Sequence, residues 1–155
     1  MKKLTLTTEK VLKAYNIIAQ AKYTKLDDAD KVRLWKIARA LKPVATKYDE
    51  DSKDAAEKLK PEGFDEKAMK WNETRDKSSA GIKDDLPMSQ AEFIDFLYHV
   101  INPYNENVNS ALEELKGKEV ELEFNALTED AFAKLMSSNE WNMEQVAMVG
   151  DIITE

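Results

Sequence analysis

Glu92, Asp95 and His99 come nearest, by type and spacing, to residues that do chemistry. At i, i+3 and i+7 they face roughly one way on a helix, and two carboxylates with an imidazole can ligate a metal. His99 is the only histidine. A dinuclear carboxylate centre needs Glu-x-x-His on two helices, so a mononuclear site would need a further ligand. The plainer reading of His99 is a surface or boundary histidine. "DEDSKD", Asp49 to Asp54, has the carboxylates of a calcium loop but lacks its central glycine and its terminal glutamate. It sits in a helical pattern and reads as a solvated face. The four glycines are isolated, so there is no phosphate loop. No Ser/His/Asp order has a supporting motif. There is no cysteine, which excludes a disulfide framework, a cysteine nucleophile and thiolate metal ligands, and fits a reducing compartment. No catalytic, cofactor or metal residue is assigned, and the expectation is a protein that is not an enzyme.

The tryptophans are the next candidates, for binding rather than catalysis. Trp35 adjoins the apolar stripe of the second helix and is expected in the core. Trp71 and Trp141 lie in more polar segments. Exposed, either suits a protein–protein hot spot; otherwise each belongs to a satellite core under a loop.

These residues need elements to hold them. "KKLTLT", Lys2 to Thr7, and "GKEVELEF", Gly117 to Phe124, alternate apolar and polar residues as strands do. Pairing them puts Leu4, Leu6, Val120, Leu122 and Phe124 on one buried face. Glu119, Glu121 and Glu123 then form a row on the solvent face near Lys3, and near Lys2 as well. Parallel and antiparallel pairing both stay open. A two-stranded ribbon is marginal alone and must lie on helices.

The rest of the chain is helical. Thr7 or Thr8 caps a first helix with a stripe of Val11, Leu12, Tyr15, Ile18 and Ala19. Asp27 or Asp28 opens a second, long helix. Its seam steps through Leu34, Ala38, Leu41, Ala45 and Tyr48 to Leu59, as in an antiparallel bundle, with Trp35, Ile37 and Val44 widening it. Pro43 should kink it. "FDEKAMKWNETRDKSS" is a weaker third helix with Phe64, Ala68 and Trp71 on one side, and "AGIKDDLP" is a loop. Ser89 with Glu92 makes a capping box for the next helix, which should kink or break near His99–Pro103. Thr128 caps a short helix, and Asn142 with Gln145 caps another.

The chain has 155 residues, 43% apolar and 34% charged, a soluble globular composition. "MKKLTLTTEK" has no apolar run behind its lysines and does not read as a signal peptide. No segment is long and apolar enough to span a bilayer. The net charge of −7 argues against general nucleic-acid binding. The charge is unevenly spread. Residues 1–47 hold 12 Lys/Arg and 4 Asp/Glu, giving +8; residues 119–155 hold 1 and 9, giving −8. These ends either lie together in the fold or meet between subunits and face different partners.

Taken in order, the elements resemble a family of small uncharacterised proteins of tailed bacteriophages and prophages. Four stretches carry the resemblance: "KLTLTTEKVLKAYNII", "LWKIARALKPVATKYDEDSKDAAEKL", "FIDFLYHVINPYNENVNSALEELKGKEVELEF" and "LTEDAFAKL". It covers most of the chain except roughly 64–88, which departs from it as an insertion or mobile segment would. It implies a phage or prophage gene, near virion or tail genes, and it carries no catalytic signature.

The expectation is therefore a mainly α fold with a minor β ribbon, one helical domain over 1–155. An antiparallel pair of long helices, Asp28–Leu59 and Ser89–Leu115, forms its centre. The expected function is a non-enzymatic interaction component: a phage accessory, assembly or minor virion-associated protein in the host cytoplasm or the virion. It would act on protein partners or on itself, without cofactor, nucleic acid or membrane. Trp71, Trp141, Glu119, Glu121 and Glu123 are its candidate contact residues. Two other classes stay open: an acidic inhibitor or modulator of a host factor, and a metal-dependent helical enzyme built on Glu92, Asp95 and His99.

Overall fold

In a computed structural model that describes residues 1–155, the two alternating segments become the two strands of one sheet. β1 (Lys2–Thr7) and β2 (Glu119–Phe124) pair antiparallel, from Lys2 opposite Phe124 to Thr7 opposite Glu119. Leu4 faces Leu122 and Leu6 faces Val120, which joins the apolar residues on one face. Lys3, Thr5 and Thr7 face Glu123, Glu121 and Glu119 on the other. Only one lysine therefore meets the glutamate row. Lys2 lies on the opposite face, because side chains alternate along a strand. Its Nζ donates to the Asp151 and Thr154 carbonyls, each at 2.6 Å.

The chain divides into two compact units, one of Met1–Asp51 with Glu114–Glu155, the other of Ser52–Glu113. Both boundaries fall inside helices, α2 (Asp28–Leu59) and α5 (Asn102–Gly117), so no linker composition marks them.

The first unit adds α1 (Thr8–Ala19), α6 (Glu129–Ser137) and α7 (Met143–Ile153) to the ribbon. α1 turns inward Val11, Ala14 and Ile18, and α2 turns inward Leu34, Ile37 and Leu41. They meet Leu122 and Phe124 of the ribbon and Leu127, Leu135, Val149 and Ile153 beyond it in one largely aliphatic core. The N-termini are capped as their sequences require. Thr128 accepts from Ala131 N–H at 3.2 Å, and Asn142 and Gln145 form a reciprocal capping box at 2.8 and 3.0 Å. Thr8 ties the start of α1 to the start of β2: its N–H and its hydroxyl both donate to the Lys118 carbonyl at 2.8 Å.

The second unit holds the end of α2, α3 (Phe64–Ser79), α4 (Gln90–Phe96), a π-helical turn over Leu97–Ile101 and most of α5. Aromatic rings fill it. Phe64 packs against Phe96 at 5.9 Å and Tyr104 at 4.7 Å between centroids, and Trp71 stacks on Phe93 at 4.7 Å. Tyr104 of α5 donates to the Ala56 carbonyl of α2 at 2.8 Å. In the first unit Leu115 of α5 shares a cavity with Tyr48 of α2.

The two internal prolines are handled differently. α2 is continuous from Asp28 to Leu59 through Pro43. Before Pro103 the backbone inserts the π turn instead, with the Asn102 N–H donating to the Leu97 carbonyl. A proline ring collides with the carbonyl four residues back, here that of His99, and a wider turn makes room for it. No helix is long and apolar enough to cross a membrane.

Candidate functional site

A helix seam fixes where a neighbouring side chain points. Leu34, Ile37 and Leu41 carry the buried face of α2. Trp35 is one residue on, roughly 100° around the helix, and leaves that face. It is 57% exposed, which corrects the expectation that it lies in the core. Val32, three residues earlier, and Ala38, three later, share its side of the helix. Tyr23, in the segment between α1 and α2, is 54% exposed and Val32 is 50% exposed. Together with Ile18 at the end of α1, these side chains line a groove of about 430 Å³. The entry of α2 is fixed by Asp27, whose carboxylate accepts from the Asp30 N–H at 2.8 Å.

The rim of this groove is cationic. Lys31 lines it, and the Arg39 guanidinium lies 5.3 Å from the centroid of the Trp35 ring. Neither Lys31 nor Arg39 is in an ion pair. The groove thus combines an open indole, an aliphatic floor and cations without carboxylate partners, a surface suited to protein contact.

The other candidates are placed differently. Trp71 is half-buried in the second unit; its Nε1 donates to the Phe93 carbonyl at 3.1 Å, and Arg75 lies 5.4 Å from its ring centroid. Trp141 is half-buried against the first unit's core, 6.3 Å from Phe132. Both take the satellite-core role. Glu119, Glu121 and Glu123 are all exposed along the ribbon. Glu119 also borders a cavity of about 290 Å³, where Lys47, Lys118 and Asp51 join it, so that cavity carries both signs of charge.

Glu92, Asp95 and His99 do not converge. The Glu92 carboxylate is held by the Ser89 hydroxyl at 3.0 Å in the cap of α4. His99 Nε2 is 3.9 Å from Asp95 Oδ1, and both side chains point to solvent. No three of the acidic and imidazole side chains are grouped as metal ligands. Asp49 to Asp54 stay within α2 and form no loop.

The basic first third and the acidic last quarter fall in the same unit. Contacts that join them include Lys2 to the Asp151 and Thr154 carbonyls, Lys25 to the Ser137 carbonyl at 3.4 Å, and the Asn139 side-chain amide, which accepts from the Lys22 N–H at 2.8 Å and donates to the Lys22 carbonyl at 2.9 Å. The row of α2 cations around Trp35 is left open. Sequence reasoning missed the groove because it assigned Trp35 to the seam; its angular offset from Leu34 was the available signal. Among known protein families, curated proteins and solved structures, nothing matches this chain.

Proposed function

We propose that this protein is a non-enzymatic interaction component that docks a protein partner on the Tyr23–Val32–Trp35 groove, in a phage or prophage accessory, assembly or minor virion role. One observation carries the reading: a tryptophan more than half exposed, on a rigid helix, above an aliphatic floor. Tryptophan is enriched among the residues that dominate binding energy at interfaces, and a fixed backbone lowers the ordering cost of using it. The resemblance to phage proteins supplies the biological setting. The exposed row of Glu119, Glu121 and Glu123, met by a single lysine, favours a second reading, an acidic modulator that engages a basic host protein.

The test is a photo-crosslinking residue in place of Val32, used in cells that express the protein in its native setting. A discrete protein adduct that disappears with Trp35→Ala supports docking at the groove. No adduct, or the same adducts from a control position at Lys83, would count against it. An adduct from position 121 but none from position 32 would favour the acidic-modulator reading.

A further inference from the structure

Charge identifies the occupant of the groove. We infer that it takes an acidic amphipathic helix of a partner protein, whose bulky apolar side chains enter beside Trp35 and whose carboxylates meet Lys31 and Arg39. This rests on the groove being a protein-docking surface, and adds to it the chemistry of the partner.

Three observations lead there. The rim cations have no carboxylate partner in the molecule, so an anionic partner gains their field without displacing an internal pair. The nearest acids are occupied by the helix itself: Asp27 caps it, and Asp28 and Asp30 sit in its first turn, where they offset the helix dipole. The groove follows α2 from Lys31 to Ala38, about two turns at 1.5 Å per residue. That length admits two anchors at i and i+4 of a docked helix.

Two rival occupants fit less well. A single-stranded nucleic acid stacks its bases on open aromatic faces, but Arg39 occupies one face of Trp35, and the chain as a whole carries −7. A second copy meeting groove to groove would set the same cations against each other across a two-fold axis.

The experiment is calorimetric titration of the full chain with a synthetic amphipathic helix carrying two leucine anchors at i and i+4 and glutamates on both flanks. The same anchors with lysine flanks, and oligothymidine, are titrated alongside. The glutamate peptide should bind, more weakly as salt rises. Trp35→Ala should weaken it about tenfold or more. Val32→Glu should weaken it similarly while leaving the circular dichroism spectrum unchanged. Lys31→Gln with Arg39→Gln should weaken it about three- to tenfold and flatten the salt dependence. Equal or tighter binding of the lysine-flanked peptide overturns the inference, as does oligothymidine binding without peptide binding. So does self-association that Trp35→Ala abolishes. A crosslinked partner from position 32 that proves basic would overturn this inference alone and leave docking at the groove standing.

Discussion

The two units are built from different materials. In the first, Ile37, Leu41, Leu127, Leu135, Val149 and Ile153 have no exposed surface. In the second, only Thr74, Met88 and Phe96 are buried, and Phe64, Trp71, Phe93 and Tyr104 are partly buried rings packed in aromatic contacts. Aliphatic burial removes area from water in every direction. A ring stack leaves edges wet and relies on a few oriented contacts such as Trp71 to the Phe93 carbonyl and Met88 N–H to the Thr74 hydroxyl at 3.2 Å. The first unit should therefore hold most of the stability, and the second should open locally first. The Trp35 groove lies on the first unit, where Leu34, Ile37 and Leu41 of α2 are buried in the aliphatic core.

The largest effect tests the first core. Ile37→Ala removes a wholly buried side chain and should cost about 2–5 kcal/mol, read as a shift in the urea midpoint. A cost below about 1 kcal/mol would mean the aliphatic core is not what holds this unit. Phe64→Leu should cost about 1–2 kcal/mol and speed hydrogen exchange within residues 52–113 while sparing α1 and α7. Uniform acceleration through both units would erase the contrast between them. Lys2→Met should cost about 1 kcal/mol, because it removes a cation that meets the last carbonyls of α7; thermal melting checks this. Replacing Glu119, Glu121 and Glu123 together by glutamine should change stability by no more than about 0.5 kcal/mol, since only Lys3 faces them. A larger loss would show that the ribbon depends on its charges.

The smallest effect sharpens the second unit. Lys60 lies between Glu57 at 3.1 Å and Asp65 at 3.2 Å, where the chain turns from α2 into α3. Its hydrogen bonds to Glu57 and then Asp65 raise its pKa above the ordinary 10.5. A raised lysine pKa stabilises the fold fully below the ordinary value and loses that contribution as pH rises through the raised one. Lys60→Met should lower Tm slightly at neutral pH, and the difference should fade under alkaline conditions above the lysine range. A difference that persists there would be packing of the alkyl stem instead.

Much of this architecture can be read from residue patterns because local rules govern it. Period-two alternation of apolar and polar residues marks both strands, leucines with threonines in β1 and Val120, Leu122 and Phe124 with glutamates in β2, and Ser89, Thr128 and Asn142 mark helix starts. The side of Lys2 is less legible. Alternation puts it opposite Lys3, but only the position of α7 shows what it can reach. Trp35 was misread for a related reason. Helical spacing gives the angle of a side chain, whereas the width of the buried arc depends on which elements pack against that helix. Pro103 announces a disturbance, but choosing between a kink and a π turn needs the surrounding packing. The division into units is silent in the sequence because α2 and α5 carry the chain across without a break.

The ribbon has a consequence for synthesis. Its first strand, Lys2–Thr7, is made long before its partner, Glu119–Phe124, so the whole of residues 52–113 emerges between them. At about 5–20 residues per second, Leu4 and Leu6 wait several seconds without the strand that covers them. The continuous unit, although the thinner of the two, is the one that a growing chain can finish first. The sturdier unit is completed only when the ribosome has delivered both of its pieces.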